Sequence, residues 1–243
     1  MSVATKNLTT EQMTKISQGK GNEYTLLYYP FHGVCATVRA MLAMSDLKHK
    51  FTHPTDWPSQ KEHTPFGHMP VLYETSPATG ETIELAELSA IEFYLGQKLG
   101  LVGSNAWEEN LIRSYVSSSQ TLFDKFVVTV LRSPKELQPQ MKELFMKLIP
   151  EWATFHEKIL QANGANGHYI GDKLTVADIK TVTVIDVMMV TSQDMFITRE
   201  KTPALLAVKD SLEKNEKYTA WKSSEDYKAC TEATRALFAR FAL

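Results

Sequence analysis

The chain has 243 residues, 43% of them hydrophobic and 22% charged, so it can bury a substantial core in one domain or two. Its formal net charge of −2 gives no electrostatic reason to expect nucleic acid or an anionic membrane as a partner. No apolar run approaches the roughly 18 residues of a membrane span. The two cysteines, Cys35 and Cys230, do not make a disulfide framework, and we expect a reducing, cytoplasmic compartment.

The N-terminal segment, residues 1–22, is polar and has no apolar stretch of the kind found in a secretory signal. We expect it to be a flexible extension, with residues 19–22 as the hinge into the fold. No Cys and His cluster has metal-ligand spacing and no glycine-rich loop could hold a phosphate, so the sequence predicts no metal site.

The fold opens with a strand, a turn and a helix. The aromatic and β-branched residues that begin at Tyr24 predict a buried strand, and Tyr28 lies at its end. Pro30 cannot donate to a sheet and Gly33 permits a tight turn. Apolar residues at helical spacing follow from Cys35, which we interpret as a small buried residue.

The next residues complete a small α/β unit that ends near Gly100 and Gly103. Its predicted elements are a strand near residues 50–52, a polar loop at 56–63, a strand through 73, a hairpin turn at 76–80, a strand at 82–85 and a helix at 87–99.

The rest of the chain is helical in pattern. The predicted helices span residues 108–131, 141–162, 175–192 and 203–215, with one more near the C-terminus. The apolar face of that last helix can cover a cleft, pack on a partner or hold residues 1–22, and the sequence does not choose among these. We therefore predict three parts: an extension at 1–22, an α/β domain at 23–100 and an all-helical domain at 104–243.

Three segments of the chain resemble the cytosolic glutathione transferases, and most closely the sigma class. They are residues 24–30 with Gly33 and Arg39 following, residues 56–72, and residues 169–178. The resemblance implies a thioredoxin-like α/β domain that binds glutathione, followed by an all-α helical bundle. It implies glutathione S-transferase activity toward an electrophilic small molecule, with glutathione as co-substrate, and a homodimer.

In this family the residue at the position of Tyr28 donates its hydroxyl to the glutathione sulfur. A free thiol has a pKa of about 8.5, and lowering it below 7 requires about 2.7 kcal/mol of preferential stabilisation of the thiolate. A preorganised hydroxyl in a dry cleft can supply much of that. The alternative is that Tyr28 simply packs in the core.

The resemblance also assigns residues that hold glutathione. Trp57 and Lys61 match positions that contact its glycine end, and His68 stands in the loop nearby. Glu87 matches a position that holds the γ-glutamyl ammonium. The alternative for Lys61 and His68 is an ordinary solvated loop.

One further feature follows from the same resemblance. Pro70 is expected to follow a cis peptide bond that turns the backbone of Met69 toward glutathione. Independently, Thr175 and Asp178 have the spacing of a capping box at a helix start.

The chain departs from the family pattern at three polar positions. Leu88 replaces the serine whose hydroxyl grips the γ-glutamyl carboxylate, although the backbone N–H of Leu88 can still bind. Val34 replaces an arginine that supports the tyrosine, and Asp124 is displaced from the family's late acidic position. These departures keep a second hypothesis open, a non-catalytic binding or structural protein with an eroded glutathione site.

The second substrate is expected near an aromatic wall between the domains, formed by Phe31, Phe123 and Phe126. Aromatic residues at this spacing are as readily explained as core, and that alternative stays open.

Overall fold

A four-stranded mixed sheet forms the first part of the chain. The structure, a computed structural model, describes residues 8–190 and 197–239. The strands are β1 (Glu23–Leu27), β2 (Lys48–Thr52), β3 (Val71–Thr75) and β4 (Thr82–Ala86). Their order is β2-β1-β3-β4, with β1 parallel to β2 and antiparallel to β3, and β3 antiparallel to β4.

Three helices accompany the sheet: α2 (Ala36–Met44), α3 (Trp57–Gln60) and α4 (Leu88–Leu99). Helix α2 packs against α4, and α4 packs against β3 and β4. Because side chains alternate along a strand, Tyr24 and Leu26 enter the core with these helices while Thr25 and Leu27 point to the other face. Helix α4 ends at Gly100, whose left-handed backbone at φ 70° suits glycine.

The second part is all-helical within the described residues. Its helices are α5 (Ala106–Lys125), α6 (Gln138–Met146), α7 (Leu148–Ala162), α8 (Val176–Met189), α9 (Pro203–Glu213), α10 (Glu216–Lys222) and α11 (Glu225–Ala239). Helix α8 packs against α2, α5 and α9 and is buried over most of its length. The thioredoxin-like domain followed by an all-α domain is confirmed, whereas the boundaries at residues 23–100 and 104–243 stay predictions.

Two predicted helices differ in detail from the observed ones. The helix predicted to continue to residue 131 becomes π-helical over Phe126–Leu131, where three valines and a threonine lower the helix propensity. The helix predicted over 141–162 is two helices, because Pro150 has no N–H to bond the carbonyl of Met146, where α6 ends. The predicted end of α8 at residue 192 lies outside the described residues.

The capping box that starts α8 is present as predicted. The Thr175 side chain and the Asp178 side chain satisfy each other's backbone N–H groups, and an Asp178 oxygen also accepts from the backbone N–H of Tyr169 at 2.8 Å. Asp178 thus ties the loop before α8 to the helix start.

The predicted N-terminal extension contains a helix, α1 (Thr10–Ser17), that contacts β3 and β4. Glu74, 1% exposed, accepts from the side-chain amide of Asn22 at 2.6 Å and from the Lys98 ammonium at 3.1 Å. The same ammonium donates to the carbonyl of Ser17 at 2.5 Å. This part of the extension packs on the α/β domain, whereas a flexible segment was expected there. It is held because the buried Glu74 carboxylate accepts from Asn22 and from Lys98, which in turn donates to Ser17. Residues 1–7 lie outside the described residues.

Candidate active site

A cleft of about 670 Å³ lies between the α/β part and helix α5. Three segments meet there: the loop at residues 68–70, the start of α4 at residues 87–89, and one side of α5 from Arg113 to Asp124. Val34, in the turn before α2, also lines the cleft. The structure thus brings together five of the residues predicted to bind glutathione: His68, Met69, Pro70, Glu87 and Leu88.

The loop before β3 carries the expected cis peptide bond, between Met69 and Pro70. Pro70 is buried, Met69 is half-buried and His68 is exposed. Met69 lies two residues before β3 and lines the cleft, where an extended peptide can pair with its backbone groups.

The start of α4 offers unpaired backbone donors to the cleft. Glu87 precedes the helix with φ 70° and ψ 121°, a left-handed backbone that is strained for a residue with a side chain. No side chain caps the helix at this residue. The first N–H groups of the helix, beginning at Leu88, have no partner within the helix, and its positive end favours an anion.

Ser89, which the predicted register excludes from the serine position, is a further cleft residue. It follows Leu88 in α4, is exposed, and lines the same cleft. The predicted register placed Leu88 in the family's serine position, and the structure keeps Leu88 as the first helical residue. The serine next to Leu88 in the sequence indicated that a hydroxyl could lie at this helix start.

Tyr28 directly follows β1 and is 7% exposed. Its hydroxyl is hydrogen-bonded to the backbone of Val34 and lies against Gly33, where an added Cβ would be 2.6 Å from the hydroxyl oxygen. Burial is the main cause that raises the pKa of Tyr28, so the hydroxyl keeps its proton near neutral pH and can donate it. Tyr28 itself is not among the residues that line the cleft, because Val34 forms that part of the wall.

Trp57 and Lys61 do not line the cleft. Trp57 begins α3 and lies edge-on to the Tyr29 ring, with ring centroids 6.3 Å apart. Lys61 is exposed, and its Cε lies 3.2 Å from where a Cβ on Gly67 would be, beside the loop of His68.

The three predicted acceptor-pocket residues do not line the cleft. Phe123 and Phe126 are 3% and 4% exposed, and the Phe126 ring packs edge-on against Phe238 of α11 with centroids 5.3 Å apart. Phe31 stacks on Tyr29 at 5.4 Å. Phe123 and Phe126 therefore fit the alternative interpretation, in which they are core residues. Helix α11 covers the surface where they were expected to line a pocket.

Helix α11 is held on the turn that follows Tyr28. Arg39, 2% exposed, donates to the carbonyls of Tyr29 and Phe31 at 2.8 and 3.0 Å and to the sulfur of Cys230 at 2.7 Å. The backbone N–H of His32 donates to the Thr234 hydroxyl at 3.0 Å. Helix α11 thus covers the turn and the aromatic surface beside it, and none of its described residues lines the cleft. The three arrangements that the sequence left open for this helix stay open.

The floor of the cleft contains a buried ion pair that the sequence analysis did not find. The Lys180 ammonium lies 2.8 Å from a Glu92 oxygen, and both side chains are 1% exposed. Lys180 also donates to the side-chain oxygen of Gln120 at 2.5 Å, and Gln120 donates to Asp124 at 2.7 Å. Burial raises the pKa of Glu92, and the neighbouring ammonium opposes that rise. A lysine flanked by apolar and β-branched residues in α8 was the available sequence signal.

Comparison with known proteins shows a similarity to glutathione S-transferases. The family profile described as "Glutathione S-transferase, C-terminal domain" matches residues 121–225. The probable glutathione S-transferase 7 of Caenorhabditis elegans is 28% identical over 162 residues, which cover 64% of this chain and 75% of the relative. Glutathione S-transferase S1 of Drosophila melanogaster is 26% identical over 204 residues, covering 82% and 78%. A sigma-class transferase structure from Fasciola hepatica superposes with a TM-score of 0.70 at 21% identity, covering 85% of this chain and all of that one.

Residues 121–225 thus match the glutathione S-transferase C-terminal domain, and the chain is similar over most of its length to glutathione S-transferases. Within residues 8–190 and 197–239, no helix is long and apolar enough to cross a membrane. The same ranges contain no group of three or more His, Cys, Asp or Glu side chains placed to hold a metal ion. This similarity raises the question of whether and how the residues of the cleft bind glutathione.

Proposed function

We propose that this chain is a glutathione S-transferase that conjugates the thiol of glutathione to an electrophilic small molecule. The observation that carries the proposal is the cleft in which the cis-proline loop faces the unpaired N-terminus of α4. Glutathione is an extended tripeptide with a carboxylate at each end, and this cleft offers an edge for its backbone and a positive helix end for one carboxylate. The related transferases support the same activity.

In this proposal each end of glutathione has its own partners. The backbone of Met69 pairs with the cysteinyl residue, and the N–H groups at Leu88 bind the γ-glutamyl carboxylate. Glu87 binds the γ-glutamyl ammonium. Trp57, Lys61 and His68 approach the glycine end, where the lysine ammonium neutralises the second carboxylate.

Tyr28 activates the thiol in this mechanism. Its hydroxyl, protonated because burial raises its pKa, donates to the sulfur and stabilises the thiolate. The bond from the backbone of Val34 fixes the hydroxyl oxygen and leaves its proton for the ligand. The thiolate then attacks the electrophilic carbon of the acceptor, and the leaving group departs with its electron pair. A sigma-like class, a cytoplasmic location and a role in detoxification belong to the same proposal.

A homodimer is part of the proposal and has a specific support. Phe66, in the loop before the cis-proline, is 63% exposed. A groove of about 280 Å³ lies between α5 and α7, lined by Leu122, Trp152 and Phe155 among others. Phe155 is 57% exposed, and the buried indole N–H of Trp152 has no hydrogen-bond partner within the described residues. An exposed aromatic and an open aromatic groove on one chain match a self-complementary interface.

The second candidate is a glutathione-binding protein without catalysis. It is favoured by Val34, which separates the Tyr28 hydroxyl from the cleft, and by Leu88, which lacks the family's hydroxyl. Retention on immobilised glutathione and turnover with a chloronitrobenzene acceptor distinguish the candidates. Retention with turnover supports the transferase, retention alone supports the binding protein, and loss of both overturns the two together.

A further inference from the structure

The sheet leaves one of its faces only partly covered. Helices α2 and α4 cover the face that carries Tyr24 and Leu26. On the other face, the short segment from α3 to the turn at Lys61–His63 leaves a cavity of about 410 Å³ against β1, β2 and β3. We call it the outer-face cavity. It shares no lining residue with the glutathione cleft.

The lining of the outer-face cavity combines nitrogen groups, from Lys50, His53 and His63, with apolar surface from Leu27 and Tyr73. Of the five threonines that line it, Thr52 and Thr64 donate to backbone carbonyls and Thr75 and Thr82 bond to each other, which leaves the Thr25 hydroxyl for a ligand. No carboxylate is among the residues that line it. Its volume falls in the range of roughly 300–1,000 Å³ typical of small-molecule sites.

The charges around the cavity favour an anion. Lys50 is exposed, and among the described residues no carboxylate lies within salt-bridge distance of its ammonium. Glu84 is paired with Tyr73 across the sheet and helps to raise the pKa of that tyrosine, after the larger effect of burial. Glu84 does not line the cavity, whereas Lys50 does, so the Glu84 carboxylate does not occupy the positive end of the cavity. A ligand with an anionic head toward Lys50 and a ring toward Tyr73 matches this distribution.

Residues of the outer-face cavity also hold the backbone of Tyr28. The N–H of Tyr28 donates to the carbonyl of Thr52 at 3.1 Å, and Nδ1 of His53 lies 2.8 Å from the carbonyl of Tyr28. Since a carbonyl only accepts, Nδ1 carries the hydrogen and Nε2 is the atom left for a ligand. The strand end that bears Tyr28 therefore has the glutathione cleft on one side and this cavity on the other.

We propose that the outer-face cavity is a second ligand site, for a small aromatic anion, whose occupant acts on Tyr28 through His53. The anionic head binds the Lys50 ammonium and Nε2–H of His53 in its doubly protonated, imidazolium form, because Nε2 of the neutral ring could only accept. The ring of the ligand lies on Tyr73 and Leu27. Contact with His53 changes its hydrogen bond to the carbonyl of Tyr28 and so moves the tyrosine. Only this last step, an effect on catalysis, rests on the proposed function; the binding site does not.

Phenyl phosphate is the probe for binding, with benzyl alcohol as the neutral control. Backbone amide NMR of the full chain should show saturable shifts at Thr25 and Thr52 with phenyl phosphate and none with benzyl alcohol. Lys50→Gln should weaken binding about tenfold, as expected for loss of one charge-assisted hydrogen bond. Lys48→Gln is the matched control, because Lys48 is exposed on the same strand outside the cavity. Absence of shifts, equal binding by K50Q, or shifts at Val116 of the cleft instead would overturn the site.

The amide signal of Tyr28 tests the coupling without any measurement of turnover. It should shift with phenyl phosphate in the unmodified chain, and His53→Ala should abolish that shift while the signal of Thr25 still responds. A Tyr28 signal that stays fixed as the cavity saturates would overturn the coupling. If the chain has no transferase activity but both shifts appear, the proposed function fails and the second site stands.

Discussion

Glu92 of α4 and Lys180 of α8 form an ion pair 2.8 Å long that joins the α/β domain to the helical domain beneath the cleft. Both side chains are 1% exposed, so neither charge is solvated. A buried pair of this kind holds its partners because removing one leaves an unpaired charge in the interior. Glu92 is one turn from Leu88, so the pair fixes the helix whose start faces the cleft.

Lys180→Met should therefore destabilise the fold by about 3–5 kcal/mol, because the Glu92 carboxylate loses its partner. The double variant Glu92→Leu with Lys180→Met should recover most of that loss, since no buried charge remains. Urea unfolding followed by circular dichroism measures both. The exposed pair of Glu143 and Lys147 is the control, and Lys147→Met there should change stability by less than about 0.5 kcal/mol. A double variant as unstable as the single one would contradict this account.

The local features of the fold were predictable, because short patterns determine them. The strand, turn and helix that begin at Tyr24, the hairpin and the capping box at Thr175 all depend on neighbours within a few residues. The cis bond before Pro70 came from the family resemblance.

Features that depend on tertiary contacts could not be predicted in the same way. The spacing of Phe126 is the same whether the residue lines a cleft or packs against Phe238, and only the path of α11 decides. The partner of Lys180 is 88 residues away in sequence, on another domain. The position of Val34 between Tyr28 and the cleft depends in the same way on how the turn folds back over the hydroxyl.

Tyr28→Phe should lower kcat/KM by about 10²-fold and raise the pKa of bound glutathione toward the value of a free thiol, near 8.5. The variant removes the donor to the sulfur and keeps the ring in its packed position. The pH dependence of kcat/KM gives both quantities. Tyr29→Phe is the matched control, because it removes the neighbouring hydroxyl and should change neither. An unchanged pH profile in Y28F would show that the tyrosine does not activate the thiol.

Two buried histidines should make the protein less stable in mild acid. Burial is the main cause that lowers the pKa of His32 and of His156 to about 4. The unfolded chain, with histidine pKa near 6.5, binds more protons than the folded chain between these values, so stability falls as the pH drops from about 6.5 toward 4.

Each histidine accounts for about 2 kcal/mol of unfolding free energy lost between pH 7 and pH 5. The measurement is the urea unfolding free energy at the two pH values. His156→Gln should reduce the difference by about that amount, whatever its effect at pH 7. Thr154, an exposed residue on the same helix that does not titrate, provides the control, and Thr154→Ala should leave the difference unchanged. A slope that H156Q does not alter would contradict the assignment.

Phe66→Ala should convert a dimer to monomers if the exposed aromatic of one chain fills the groove between α5 and α7 of another. Light scattering during size-exclusion chromatography gives the mass directly. Trp107→Ala is the matched control, because Trp107 is 73% exposed and does not line the groove. Dimerisation that survives F66A, or is lost equally in W107A, would contradict this interface.

Leu88→Ser should tighten glutathione binding, because a serine there restores a hydroxyl beside the free N–H groups of α4. One added hydrogen bond to a carboxylate contributes about 1.5–3 kcal/mol, or roughly tenfold to a hundredfold in Kd. Ser89→Ala is the companion variant: it should leave Kd unchanged if Leu88 occupies the binding register, and weaken binding if the neighbouring serine already supplies the hydroxyl. Calorimetric titration with glutathione measures both variants. Unchanged or weaker binding by L88S would show that the γ-glutamyl carboxylate does not lie at this helix start.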